Sequence, residues 1–172
     1  MRSNNGLSTF GAEVVEEINK LGMIVDVSHI NERSFWDVME ISKCPVIASH
    51  SNCRTLCDHH RNLTDDQIRA LADKKGVMGI TYVSAFLDKQ AENATINKVL
   101  DHIDHAVELV GAEHVRLGSD YSGLKSEIKG LEDITNVPQI TKGLVSRGYS
   151  DREIENILGW SFLKVFKNVL IK

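Results

Sequence analysis

Proline is scarce in this 172-residue chain, with 2 prolines against 12 glycines, and aromatic residues make up only 6% of it. Proline-rich linkers and polyproline ligands are excluded at that content. No run approaches 18 consecutive apolar residues, which excludes a transmembrane helix. The opening MRSNNGLSTFG lacks the apolar stretch of a secretory signal. An excess of one charge is lacking too: 24 acidic against 20 basic side chains leave −4, too mild to imply a generic grip on nucleic acid. Three cysteines, an odd number, argue against a disulfide framework and for a reducing, cytoplasmic setting. With 42% hydrophobic and 26% charged residues, what remains is an ordinary globular chain, sized for a single domain over residues 1–172.

Two periodicities alternate along it. Residues 10–21 put Phe10, Val14, Val15, Ile18 and Leu21 on one helical face, with Ser8 or Thr9 as the cap and Gly22 as the stop. MIVDVSH follows, too short for a helix and apolar enough for a buried parallel strand. The pattern then repeats: a helix from Asn31, strand PVIASH, a helix opened by the Thr64–Gln67 capping box, strand VMGITYV, a long helix from Thr95, and strand HVRLGSDY. Helices from Pro138 and from the Ser150–Glu153 capping box complete it. This order predicts an α/β fold of parallel βα repeats. A parallel sheet of four strands leaves two edges open, so exposed sheet edges and an exposed apolar face are expected.

Chemistry in such folds collects at the C-terminal ends of the strands. Strand one ends in Ser28-His29, strand two in Ser49-His50 and strand four in Ser119-Asp120. One βα repeat separates the two histidines, which places them on neighbouring strands about 5 Å apart in backbone. There they can converge on one metal ion, or each can simply hydrogen-bond at its strand end. Asp120 can orient or deprotonate a metal-bound water, hold a cationic substrate group, or close an Asx turn before Gly123. Arg61, in the polar loop from Ser51 to Leu63, can clamp a carboxylate or remain a solvated charge. Cys53, Cys57, His59 and His60 crowd one loop without regular zinc spacing. His102 and His105 lie on a predicted helix, where a polar surface face accounts for them.

The segments GLSTFGAEVVEEINKLGMIVDVSHI, CPVIASHSNCRTLCDHHRNLTDDQIRAL and HVRLGSDYSGL resemble the membrane (renal-type) dipeptidase family, peptidase family M19. The set D-x-S-H, S-H-S, R-N-L-x-D and G-S-D carries the likeness, from Gly6 to about Phe166. The resemblance implies the second half of a (β/α)8 TIM-type barrel, and a zinc-dependent dipeptidase in which a metal-activated water attacks the peptide carbonyl. It implies that His29 and His50 are ligands of one zinc, that Arg61 binds the dipeptide carboxylate, and that Asp120 stands near the reacting water and the substrate amino group. A complete member holds two zinc ions. Its H-x-D strand, bridging glutamate and a further substrate-contacting histidine have no counterpart here, so at most one zinc is expected. Ser122 stands where many members have a second Asp, and Gly159-Trp160-Ser161 replaces a more usual Gly-Gly-Asn. The alternatives are a non-catalytic half-barrel that pairs with itself, as a homo-oligomer, or with a missing N-terminal half, and another metal-dependent hydrolase of the same barrel type.

Overall fold

The structure, a computed structural model, describes residues 5–123 and 128–170. Leu124, the last residue of the HVRLGSDYSGL segment, lies outside the described residues. The order is α1 (Thr9–Lys20), β1 (Val25–Asp26), α2 (Glu32–Ile41), β2 (Val46–Ser51), α3 (Asp65–Asp73), β3 (Val77–Thr81), α4 (Ser84–Leu87), α5 (Ile96–Val110), β4 (Val115–Ser119), α6 (Pro138–Ser146), α7 (Asp151–Glu155) and α8 (Ser161–Leu170). A five-residue π-type turn, Asn156–Trp160, joins α7 to α8. The strands form one parallel sheet in the order β1-β2-β3-β4. This is the βα alternation expected of half a (β/α)8 barrel.

Local chemistry sets the helix starts. Ser8 Oγ accepts from Gly11 N at 3.1 Å, and Asn31 Oδ1 accepts from Ser34 N at 2.9 Å. Thr64 with Gln67 and Ser150 with Glu153 form reciprocal capping boxes, each satisfying orphan N–H groups of a first turn. Strand one is shorter than MIVDVSH suggests: only Val25–Asp26 pair fully, and Val27 N adds one bond to Ile47 O at 2.8 Å. Ser28 and His29 already turn toward α2, so the chain leaves the ladder early.

Side chains alternate across the strands. Val25, Val46, Ala48, Met78, Ile80 and Val115 face the helix layer and pack with Phe35, Ile68, Leu71, Ile103 and Leu144. The opposite parity faces what would be a barrel interior. Its lower part is not exposed as expected, because Ile47 and Val77 are covered by Val165, Val169 and Phe162 of α8, together with Ile24 and Cys44. Helix α8 thus seals the apolar bottom of the inner face and leaves the polar top open. Helix α1 differs in the other direction. Of its apolar stripe only Val15 is buried, while Phe10 is 72% and Leu21 65% exposed. It packs on α2, beside edge strand β1. Among the described residues no helix is long and apolar enough to cross a membrane.

Candidate metal and substrate site

Both strand ends that carry histidine reach the same point. His29 Nε2 and His50 Nε2 are 2.8 Å apart, with the ring centroids at 4.8 Å. Two imidazole nitrogens on one tetrahedral zinc stand about 3.3 Å apart, given Zn–N bonds of about 2.0–2.1 Å. The pair therefore fits a shared ion in donor type and in direction. Among the described residues no group of three or more His, Cys, Asp or Glu gathers as a metal cluster. His29 and His50 each turn one ring nitrogen to the shared point.

The aim of these side chains depends on irregular strand pairing. Ala48 lies opposite Met78 and Ser51 opposite Ile80, so β2 carries one residue more than β3 at Ser49-His50. Between Ile80–Leu117 and Thr81–Ser119, β4 likewise carries one residue more than β3, at Gly118. Extra residues of this kind bend a strand and redirect side chains, and they recur next to active sites. The Ser49 carbonyl then projects toward β3 and β4. A Cβ on Gly79 would stand 2.1 Å from Ser49 O, and one on Gly118 would stand 2.5 Å from it. Only glycine fits at these two positions, since the obstacle is backbone.

A polar layer supports the histidines. Asp26 Oδ1 accepts from Ser28 N at 3.1 Å, Ser28 Oγ at 2.8 Å and Ser49 N at 3.0 Å, while Oδ2 accepts from Ser49 Oγ at 2.5 Å. Ser49 Oγ is also 2.7 Å from His50 Nδ1. Partial burial alone would raise the Asp26 pKa; the hydrogen bonds from Ser49 and Ser28 outweigh it and hold the carboxyl below its ordinary value. The His29 pKa is lowered by burial and by the positive charge of Arg61, with His50 adding to them and Asp26 and Asp120 opposing. A neutral imidazole is the form that binds a metal.

Arg61 reaches this group from the loop after β2. Its Nε donates to Ser28 O at 2.9 Å and its guanidinium carbon lies 5.4 Å from the Phe86 ring centroid. Asp120, directly after β4, adopts φ +64°, a left-handed conformation tolerated by Asp and uncommon for side chains in general. Its charge is felt at His29, so the ends of β1 and β4 share one electrostatic site. The structure thus brings His29, His50 and Arg61 around Ser28, with Asp120 on the far strand end.

Four contributors escape a reading of the sequence confined to ligand types. Asp26, Ser28 and Ser49 belong to D-x-S-H and S-H-S, and the signal that could have found them is their parity, since Asp26 and Ser49 both point to the inner face. Arg116 is the fourth. It donates to Leu117 O and Ser49 O, each at 3.1 Å, and its guanidinium carbon stacks 4.0 Å from the Phe162 ring centroid. Burial lowers its pKa.

The other histidines and cysteines do different work. His102 is buried at 1% exposure, not on a polar surface. Its Nδ1 accepts from Cys53 N at 3.1 Å and its Nε2 donates to Leu87 O at 3.2 Å, tying the loop after β2 and α4 to α5. Cys53 and Cys57 are both buried thiols, with Sγ contacts to His102 O and Ala85 O. His59 stacks on Phe86. The Cys-His crowd of this loop is therefore packing.

The family model for membrane dipeptidases, peptidase family M19, matches residues 1–170. The chain belongs to that family. It is 36% identical to the dipeptidase tcpJ of Claviceps purpurea over 166 residues, covering 96% of this chain and 39% of that protein. It is 40% identical to the dipeptidase verJ of Clonostachys rogersoniana, covering 96% and 42%. A metallo peptidase from Rhodobacter sphaeroides, solved with a phosphinate mimic of the dipeptide L-Ala-D-Ala, superposes with a TM-score of 0.90 at 28% identity, covering 98% of this chain and 48% of that one. This M19 chain spans about two fifths of the curated relatives and about half of the solved one.

Proposed function

We propose that this M19 chain carries one part of a zinc dipeptidase site, with His29 and His50 holding a single zinc, Arg61 receiving the substrate carboxylate, and Asp120 serving the amino group and the attacking water. The convergence of the two Nε2 atoms at 2.8 Å carries this reading. Zinc, when bound, supplies Lewis acidity toward a carbonyl oxygen and toward water. The chain's own residues do the rest. Arg61, steadied through Nε on Ser28 O, offers the end of its guanidinium to a carboxylate in the paired geometry that arginine favours. Asp120, in its left-handed conformation after β4, accepts from an ammonium group or takes a proton from water. A dipeptide presents a carboxylate and an ammonium at a short, defined separation, and this pair of residues suits that pattern. The substrate class is a dipeptide, and the L-Ala-D-Ala mimic on the Rhodobacter relative extends it to a D-residue at the C-terminal side. The three cysteines without a disulfide suit a cytoplasmic setting.

A second reading has its own support. Phe10, Leu21 and Met23 are all more than half exposed beside edge strand β1, an apolar margin suited to a second copy or to further βα units. In that reading the chain is a half-barrel completed by a partner, and catalysis belongs to the assembly. Zinc content and oligomeric mass measured on one sample separate the two. About one zinc per chain, lost in His50→Ala with the mass unchanged, is the expected result. Equal zinc in parent and His50→Ala would overturn the site, and a zinc-free dimer would favour the second reading.

A further inference from the structure

We propose that Asp26 and Ser49 are positioning residues: together they fix the proton of His50 on Nδ1, so that its Nε2 lone pair is presented toward His29 and the shared ion. The inference deepens the reading of His29 and His50 as zinc ligands. It follows from counting protons along a chain of contacts. Ser49 Oγ has one proton and stands 2.5 Å from Asp26 Oδ2 and 2.7 Å from His50 Nδ1. A carboxylate oxygen can only accept, so the Ser49 proton lies on the short contact to Asp26. The Ser49 oxygen then meets His50 Nδ1 with a lone pair, and Nδ1 must be the donor. Asp26 cannot turn away from this task, because Ser28 N, Ser28 Oγ and Ser49 N hold its other oxygen. Ser28 Oγ also accepts from His50 N at 3.1 Å, which fixes the backbone that carries the ring.

With Nδ1 protonated, His50 Nε2 is an acceptor. Its lone pair points toward His29 Nε2, 2.8 Å away, the direction in which a shared ion would be held. His50 is thus the prepared ligand, with no proton on the nitrogen that would bind. A hydrogen-bonded partner on the distal nitrogen is the usual way a protein orients a metal-binding imidazole. Here the partner is a carboxylate acting through a serine, and both lie on the inward parity of adjacent strands.

The test is a long-range 1H–15N correlation spectrum of the full chain labelled at histidine nitrogens, with no metal added. The expected spectrum has His50 protonated on Nδ1. In Asp26→Asn, the isosteric amide donates to Ser49 Oγ, Ser49 turns its proton onto His50 Nδ1, and His50 moves to the Nε2–H form. Ser49→Ala removes the acceptor and shifts His50 the same way. Zinc affinity, read by competition with a chromophoric chelator, is expected to fall roughly 10- to 100-fold in both variants, provided their amide spectra stay dispersed. A parent with His50 protonated on Nε2 would overturn the proposal, and so would variants that keep the parent tautomer or the parent zinc affinity. If the parent shows Nδ1–H at His50 and both variants lose it, yet no protein takes up zinc, the relay stands and the zinc function proposed above falls.

Discussion

His29 and His50 lie far apart in sequence, while His102 and His105 lie three apart on one helix, and it is the distant pair that meets. His102 and His105 look away from each other: His102 gives one nitrogen to Cys53 N and the other to Leu87 O, and His105 Nε2 bonds Asp65 Oδ1 at 2.9 Å. The distant pair sits at the ends of adjacent parallel strands, with the two Nε2 atoms turned toward each other. The lesson concerns what occupies the second nitrogen. A histidine with both nitrogens committed to backbone is a strut, and one whose outer nitrogen meets a second imidazole can share a ligand with it.

The largest effect expected from breaking this contrast is at the strut. His102→Ala leaves the Cys53 N–H and the Leu87 carbonyl without partners and opens a cavity, and should cost about 3–5 kcal/mol in denaturant unfolding. A loss below 1 kcal/mol would mean that the loop after β2 is held by something else. Next comes the pH dependence of the same residue. Burial lowers the His102 pKa to about 4 despite its bond to Leu87 O. The unfolded chain, with histidine near 6.5, binds the proton first as pH falls. The contribution of His102 is thus full above about pH 6.5 and is lost as pH falls toward 4, by about 3 kcal/mol. The stability gap between parent and His102→Ala should therefore narrow between pH 7 and pH 4; a constant gap would contradict the assignment. The smallest effect is at His105, whose bond to Asp65 is partly open to water. His105→Ala should cost about 0.5 kcal/mol, and a cost like that of His102→Ala would erase the distinction.

Much of this arrangement was legible in residue order. Apolar runs of strand length, each ending in Ser-His or Ser-Asp, located His29, His50 and Asp120, and the capping boxes at Thr64 and Ser150 fell where they were read. What periodicity could not carry was partnership. The stripe on α1 predicts burial, yet Phe10 and Leu21 are exposed, because a helical face is buried only if a neighbour covers it. The burial of His102 depends on a loop some fifty residues earlier folding over α5. The extra residues in β2 and β4 leave no trace in hydrophobic pattern, and they decide where His50 points.

Helix α8 brings Val165 and Val169 against Ile24 and Ile47, so the floor of the sheet is assembled from the first strand region and the last helix. The Val169 carbonyl would stand 3.1 Å from any Cβ placed on Gly22. Such contacts have high sequence separation, which slows the search for them. During synthesis, β1 through β4 emerge with Ile47 and Val77 uncovered, and they stay so until translation has passed Val169 and released it from the ribosome. The nascent chain thus carries an open hydrophobic floor from the emergence of Val77 to that of Val169.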